Sequence, residues 1–270
     1  MSFKIFIGTS SNNEDAAIES IYEYTLRKNA SADLDITWMR QSNDSSSIWS
    51  GWNSTKWFTP FSGFRWAIPE ICEFKGRALY TDVDMINFVD ICKLFEIDLL
   101  DRPFGSRFIK AQNIPFPTFQ FKNLLKLKNP IKINRFSGFQ PCVMLIDCEK
   151  AKNILDPISL QKTNPSIHNS YMHSFIKKPL LLKSQFFTEI DPRWNCLDGE
   201  NLPIDKMFQL HFTNMSTQPW KPEWFTGERK THPREDIVDL FYELLEEASQ
   251  HGFKPKKYSG SQIKYQIIGS

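Results

Sequence analysis

The sequence has almost no excess charge of either sign: 33 basic and 31 acidic side chains leave a net +2. A nucleic-acid-binding surface needs a basic excess along one face, so no nucleic-acid partner is expected. No apolar run reaches the length that spans a bilayer. Met1-Ser-Phe-Lys4 leads straight into β-prone residues without a leader-like pattern, so a cytoplasmic chain is expected. Cysteine is scarce and odd in number: Cys72, Cys92, Cys142, Cys148 and Cys196, with no C-x-x-C pair. Buried thiols in a reducing compartment fit this better than disulfides or structural zinc. A Walker loop, a G-x-S-x-G elbow and an H-E-x-x-H helix are all missing, which removes three common enzyme classes.

Aromatic residues are plentiful, with 23 Phe and 8 Trp. They imply a ring-built core, and clefts suited to flat or sugar-like ligands. Phe3 to Ile7 reads as a buried strand. Gly8-Thr-Ser-Ser-Asn-Asn13 is a polar loop, Glu14 to Lys28 has helical spacing, and Leu34 to Met39 alternates as a second strand. That order is a βαβ unit and predicts an α/β fold with a mostly parallel central sheet flanked by helices. Trp57 to Phe74 reads as mostly helical. Ala78 to Thr81, Cys142 to Asp147 and Lys206 to Phe212 read as strands, and Phe88 to Phe95 and Glu149 to Ile154 as short helices. Pro233 to Ala248 is a helix, with Ile237, Phe241, Leu244, Leu245 and Ala248 as its buried stripe and Gly252 beyond its end. Asp101 to Pro141, rich in Phe, Pro and Lys, has no clear pattern, and strands around Thr118 to Phe121 and Ile131 to Phe136 are expected within it. The basic, apolar stretch Phe121 to Lys132 is a solvated amphipathic face, or a peripheral contact to the inner face of a membrane or to an acidic acceptor.

The chemistry concentrates in Arg77-Ala-Leu-Tyr-Thr-Asp-Val-Asp-Met-Ile86. In a strand, residues i and i+2 share a face, so Asp82 and Asp84 can share one divalent ion through hard oxygen ligands. Strand-end carboxylates are also common as solvated or capping groups. What favours a metal is their place, at the carboxyl end of a strand after a nucleotide-type βαβ start. His211-Phe-Thr-Asn-Met-Ser-Thr-Gln-Pro-Trp220 offers a neutral imidazole as a third ligand, and a donor-rich loop able to wrap a phosphate. A structural hydrogen bond is the plainer role for such a histidine.

In this order these features resemble the glycogenin-like and lipopolysaccharide-galactosyltransferase-like retaining glycosyltransferases (glycosyltransferase family 8). The resemblance spans roughly residues 3–248 and is best over Phe58-Thr-Pro-Phe-Ser-Gly-Phe-Arg-Trp-Ala-Ile-Pro69 and the D-x-D strand. It implies a GT-A fold over residues 1–253, with a nucleotide-binding half to about residue 100, an acceptor half after it, and a peripheral tail at 254–270. It also implies a UDP-sugar donor, a Mn²⁺ or Mg²⁺ ion on Asp82, Asp84 and His211, and a glycan, lipid-linked sugar or polysaccharide acceptor. Gly8, Thr9 and Ser10 match the uridine loop, Val83 the residue between the aspartates, and Arg65 the basic residue facing the donor. Asn214, Gln218, Trp220 and Lys221 fall in the family's diphosphate clamp, H-x-x-G-x-x-K-P-W. Here Asn214 replaces the glycine, Gln218 stands where lysine is usual, and the loop is one residue longer, so a basic contact to the leaving phosphate is either missing or supplied by Lys221. Gln140-Pro-Cys142 replaces N-[SA]-G, which makes Gln140 the group to expect near the anomeric carbon, or a strand-edge amide. The family's D-Q pair has no clear match, and Asp191 and Asp198 are the substitutes. Two other readings stay open: a nucleotidyltransferase, disfavoured by a first loop without lysine, and an inert glycan- or nucleotide-sugar-binding relative.

Overall fold

Phe3–Thr9 forms β1, whose β-prone apolar residues Ile5 and Ile7 are wholly buried. It is followed by α1, Ala16–Asn29, and by β2, Leu34–Arg40. β2 lies parallel to β1 with Phe3 opposite Leu34, as the βαβ reading requires. The computed structural model describes residues 2–11, 13–54, 59–109, 138–164, 166–167, 171, 185–221 and 228–256. The expected strands around Thr118 and Ile131, the basic stretch Phe121 to Lys132 and the end of the tail lie outside these residues.

Gly63 leads into a 3-10 turn, Phe64–Ala67, and a single helical turn, α2, Ile68–Ile71. Pro69 sits in that first turn, where its missing N–H costs nothing. β3, Arg77–Asp82, pairs parallel with β1 and sets Gly8 opposite Asp82. Glycine is required there: a Cβ on Gly8 would fall 2.6 Å from the Phe61 ring and 2.7 Å from the Tyr80 hydroxyl. Met85–Asn87 is β4, and a 3-10 turn follows at Ile91–Glu96. β5 is Phe104–Ile109 and β6 is Gly138–Asp147. Two short helices, α3 (Cys148–Ala151) and α4 (Ile158–Thr163), precede β7, Phe187–Glu189. A 3-10 turn at Pro192–Asn195 leads into β8, Cys196–Leu197. Another, Ile204–Lys206, precedes β9, Gln209–His211. The last described helix is α5, Glu235–Gln250.

The main sheet has the order β2-β1-β3-β6-β5-β7. Its β1–β2, β1–β3 and β5–β7 pairings are parallel, while β6 runs antiparallel to both neighbours. The sheet is therefore mixed, since β6 returns against β3. A second sheet, β4-β9-β8, is built by β9 lying antiparallel to β4 and parallel to β8. β4 and β8 carry too little periodicity to be read from sequence, while β9 lies within the strand expected over Lys206 to Phe212; together the three place the site.

α5 buries Ile237, Phe241 and Ala248, with Leu244 and Leu245 packed at the core's margin. It ends in a Schellman motif. Phe253 N–H bonds the Ala248 carbonyl at 2.9 Å, Gly252 N–H bonds that of Ser249 at 3.2 Å, and Gly252 takes φ +89°. Tyr24 and Lys28 of α1 both reach Glu247 of α5 at 2.6 Å, tying the two helices together. All five cysteines are free thiols. Among the described residues, no helix is long and apolar enough to cross a membrane.

Candidate functional site: a carboxylate–imidazole centre at the end of β3

β3 ends at Asp82. The chain turns through Val83, with Met85 N–H bonding the Val83 carbonyl at 2.8 Å, and re-enters as β4. The β4–β9 register puts Met85 opposite His211, and Phe212 N–H donates to the Asp84 carbonyl at 2.9 Å. The two backbones therefore deliver Asp84 and His211 to one point, where His211 Nε2 lies 3.2 Å from Asp84 Oδ1. Val83 itself is buried in the core.

The protonation pattern follows from the neighbours. His211 Nδ1 faces Asn195 Oδ1 at 2.8 Å. That oxygen only accepts, so Nδ1 carries the ring hydrogen and Nε2 turns its lone pair toward Asp84. Asp84 Oδ1 is buried and has no hydrogen-bond partner, while Oδ2 accepts from Gln218 Nε2 at 3.0 Å. Two acceptors facing each other in a buried site need a cation between them, either a proton or a metal ion. Burial opposes charging His211, but Asp84, Asp82 and Asp198 outweigh it and hold its pKa above the usual value. Burial also raises Asp84, with Asp82 and Asp15 adding to the effect and His211 opposing it. The residues present thus fit a divalent ion: a neutral imidazole nitrogen and carboxylate oxygens, one of them orphaned.

Asp82, at the end of β3, is held by two side chains. Arg65 Nη2 pairs with its Oδ1 at 3.1 Å, and Tyr80 Oη donates to the same oxygen. Arg65 is buried. Its Nε donates to the Ser62 carbonyl at 2.9 Å, its Nη1 to the Pro141 carbonyl, and its guanidinium lies 4.3 Å from the Tyr80 ring centre. In this setting Arg65 holds Asp82 in place. Ligand atoms of Asp82, Cys142 and His211 all lie within 4.8 Å of one another, a group that Asp84 does not join.

The residues matched to nucleotide binding are tied to two buried carboxylates of the loop and helix after β1. Thr9 Oγ1 donates to Glu19, which Arg40 grips through both oxygens at 2.7 Å. Ser10 Oγ donates to Asp15 Oδ2. Asp15 Oδ1 also accepts from Trp220 Nε1 at 2.8 Å and pairs with Lys221 Nζ at 2.9 Å. Asp15 thus joins the first-strand loop to the clamp loop. Burial alone would raise its pKa, but Lys221, Ser10 and Trp220 hold it below the ordinary carboxylate range. Asn214 folds the clamp: its side chain accepts from Ser216 N–H at 3.1 Å and Ser216 Oγ at 2.8 Å. Trp220 stacks on Phe241 and meets Phe212 edge-on, so its ring is core.

Gln140 lies on β6 two residues before Cys142, and its backbone carbonyl accepts from Ser106 Oγ. Asp191 has the setting of a cap rather than of a sugar pocket. It accepts from Arg193 N–H at 2.9 Å, pairs with the Arg193 guanidinium at 2.6 Å, and starts the turn that ends in Asn195. Asp198 is buried between His232 Nε2, at 3.2 Å, and Thr213 Oγ1, at 2.6 Å, and so braces the clamp loop against the approach to α5. Sequence reasoning missed Asn195, Cys142 and Asp15. Only Asp15 gave a signal, as a carboxylate at the entry of the first helix.

Asn195 yields a direct expectation. Asn195→Ala removes the acceptor that fixes the His211 tautomer, and cation affinity should fall by about 10–100-fold, the usual cost of losing an outer partner of a metal-binding histidine. Titration of Mn²⁺ by electron paramagnetic resonance reads this directly.

No known protein-family profile matches the chain. A curated relative, "Protein CDI" of Arabidopsis thaliana, is 24% identical over 259 residues, spanning 93% of this chain and 89% of its own. Among solved structures, the galactosyltransferase LgtC in complex with donor and acceptor sugar analogs superposes with a TM-score of 0.54. It is 12% identical, over 91% of this chain and 96% of that one. The glycosyltransferase GlyE of Streptococcus pneumoniae TIGR4 gives a TM-score of 0.50 at 16% identity, over 97% of this chain and 66% of that one. The chain therefore shares the fold of these two structures, the GT-A fold.

Proposed function

We propose that this protein is a divalent-cation-dependent retaining glycosyltransferase that moves a hexose from a UDP-sugar to a glycan, lipid-linked or polysaccharide acceptor. The observation that carries this reading is the Asp84–His211 pair, with its orphaned carboxylate oxygen, beside Asp82 at the carboxyl end of β3. In open α/β sheets, ligands bind at that end. Asp82, Asp84 and His211 would hold Mn²⁺ or Mg²⁺. A bound ion there supplies charge for the departing nucleoside diphosphate.

The chain's own residues do the rest. Gln218 fixes Asp84 and also donates to the Phe212 carbonyl at 2.8 Å, so it locks the clamp loop to the cation site. Asn195 fixes His211, and Arg65 with Tyr80 fixes Asp82. Gly8, Thr9 and Ser10 would face the uridine, and Lys221 the diphosphate. Gln140 would lie near the anomeric carbon. Asp191 would act through the turn that carries Asn195. We read residues 1–253 as one domain on this basis, with the nucleotide at the first half.

A second reading, an inert relative that binds a nucleotide sugar or glycan, draws on one observation. Lys221, the substitute clamp cation, is buried against Asp15. Calorimetry with UDP tests both readings at once. Binding should require Mn²⁺ and should weaken as pH falls through the raised His211 value, because the ion must displace the proton held there. UDP binding that is absent with and without Mn²⁺ at every pH overturns the transferase and the nucleotide-sugar-binding readings and leaves only glycan binding.

A further inference from the structure

We propose that Cys142 is a ligand of the cation site, making it a mixed oxygen, nitrogen and sulfur centre that prefers zinc-like ions; this rests on the cation-site reading above. The β3–β6 register pairs Tyr80 with Met144 and Thr81 with Val143. One step further along, Cys142 stands across from Asp82, at the point where β3 ends. Alternation along the two strands puts Tyr80, Asp82, Met144 and Cys142 on one face of the sheet. Tyr80 and Arg65 both occupy Asp82 Oδ1, and the Cys142 side chain hydrogen-bonds the same carboxylate. Asp82, Cys142 and His211 converge within 4.8 Å.

Ligand atoms arranged tetrahedrally at about 2.0–2.3 Å from an ion lie about 3.3–3.8 Å apart. The three groups reach that spacing by movements of about an ångström shared among side chains. Asp84 Oδ1 stands 3.2 Å from His211 Nε2 but outside this group of three, as a neighbour of the imidazole. Thiolate selects zinc and its analogues, whereas magnesium and manganese favour oxygen donors. Cys142 ligates as the thiolate, and its proton passes to bulk water. No C-x-x-C spacing announces this site, because its donors come from three separate strands and turns.

Titration of the full chain with Co²⁺ tests the assignment. Wild type should develop the near-ultraviolet sulfur-to-cobalt charge-transfer band, and Cys142→Ser should lose it. Zn²⁺ affinity should fall by about 100-fold or more in that variant, at or beyond the cost of losing an outer partner. Mn²⁺ affinity should change by less than about threefold, since thiolate adds little for that ion. Cobalt binding without the band, or a band that survives in Cys142→Ser, overturns the thiolate while leaving the cation site standing. Failure of every ion to bind overturns both. Alkylation mapped by mass spectrometry provides a check on wild type that needs no variant. Saturating Zn²⁺ should protect Cys142, and full labelling under zinc contradicts its ligation.

Discussion

Asp84→Asn should lower cation-dependent UDP binding by about 100-fold or more while the chain stays folded. The substitution keeps the side chain's volume and its place beside Gln218, and removes the charge facing His211 Nε2. A metal ligand that neutralises a diphosphate supplies several kcal/mol, and each 1.4 kcal/mol is tenfold in affinity. The apo protein should lose little stability. Burial disfavours the charged form of Asp84, His211 opposes this, and Asp82 and Asp15 add to it; in the variant His211 can release its proton rather than remain a stranded charge. Calorimetry with UDP and Mn²⁺, beside a thermal melt of each protein, separates the two effects. An unchanged UDP affinity in a folded variant contradicts Asp84 as a cation ligand.

The largest expected effect on stability belongs to Asp15→Ala. Asp15 and Lys221 are 4% and 5% exposed, and their ion pair is reinforced by Ser10 and the Trp220 indole. Replacing a buried pair by apolar groups is often neutral, whereas removing one partner leaves a buried charge without its counterion and costs about 3–5 kcal/mol. For a chain of this size that lowers the melting temperature by on the order of 10 °C. Asp15→Ala combined with Lys221→Met should recover much of the loss, because the stranded ammonium is then gone. A double variant no more stable than the single one shows that the pair is not the source. Because Asp15 also anchors Ser10 and Trp220, the single variant should loosen the first-strand loop and the clamp together.

The long periodic elements were legible from sequence: β1, α1 and β2 as a βαβ unit, the D-x-D strand, and α5 with its stripe and its terminal Gly252. The antiparallel course of β6 was not, since an apolar strand reads the same in either direction. β4 and β8 are three and two residues long, too short for a pattern, whereas β9 lies within the strand expected over Lys206 to Phe212. Yet the β4–β9 pairing is what brings His211 to Asp84. The acidic and imidazole residues of the site could be named because D-x-D and the late histidine are local signals. Their partners could not. Asn195 and Cys142 are remote in sequence from the residues they serve, and only the sheet registers join them. Lys221 could be named as a cation near the clamp, but its burial against Asp15, 206 positions away, is a tertiary fact.

The central claim is that this fold moves a sugar from a nucleotide. Its most direct test is nuclear magnetic resonance of wild-type protein incubated with a panel of UDP-hexoses, with and without Mn²⁺. At least one donor should be consumed only in the presence of the ion, releasing UDP and a sugar that first appears in the donor's own anomeric configuration. A panel left intact at the rate of the metal-only control, by protein that binds UDP, contradicts the claim and leaves a binding protein in its place.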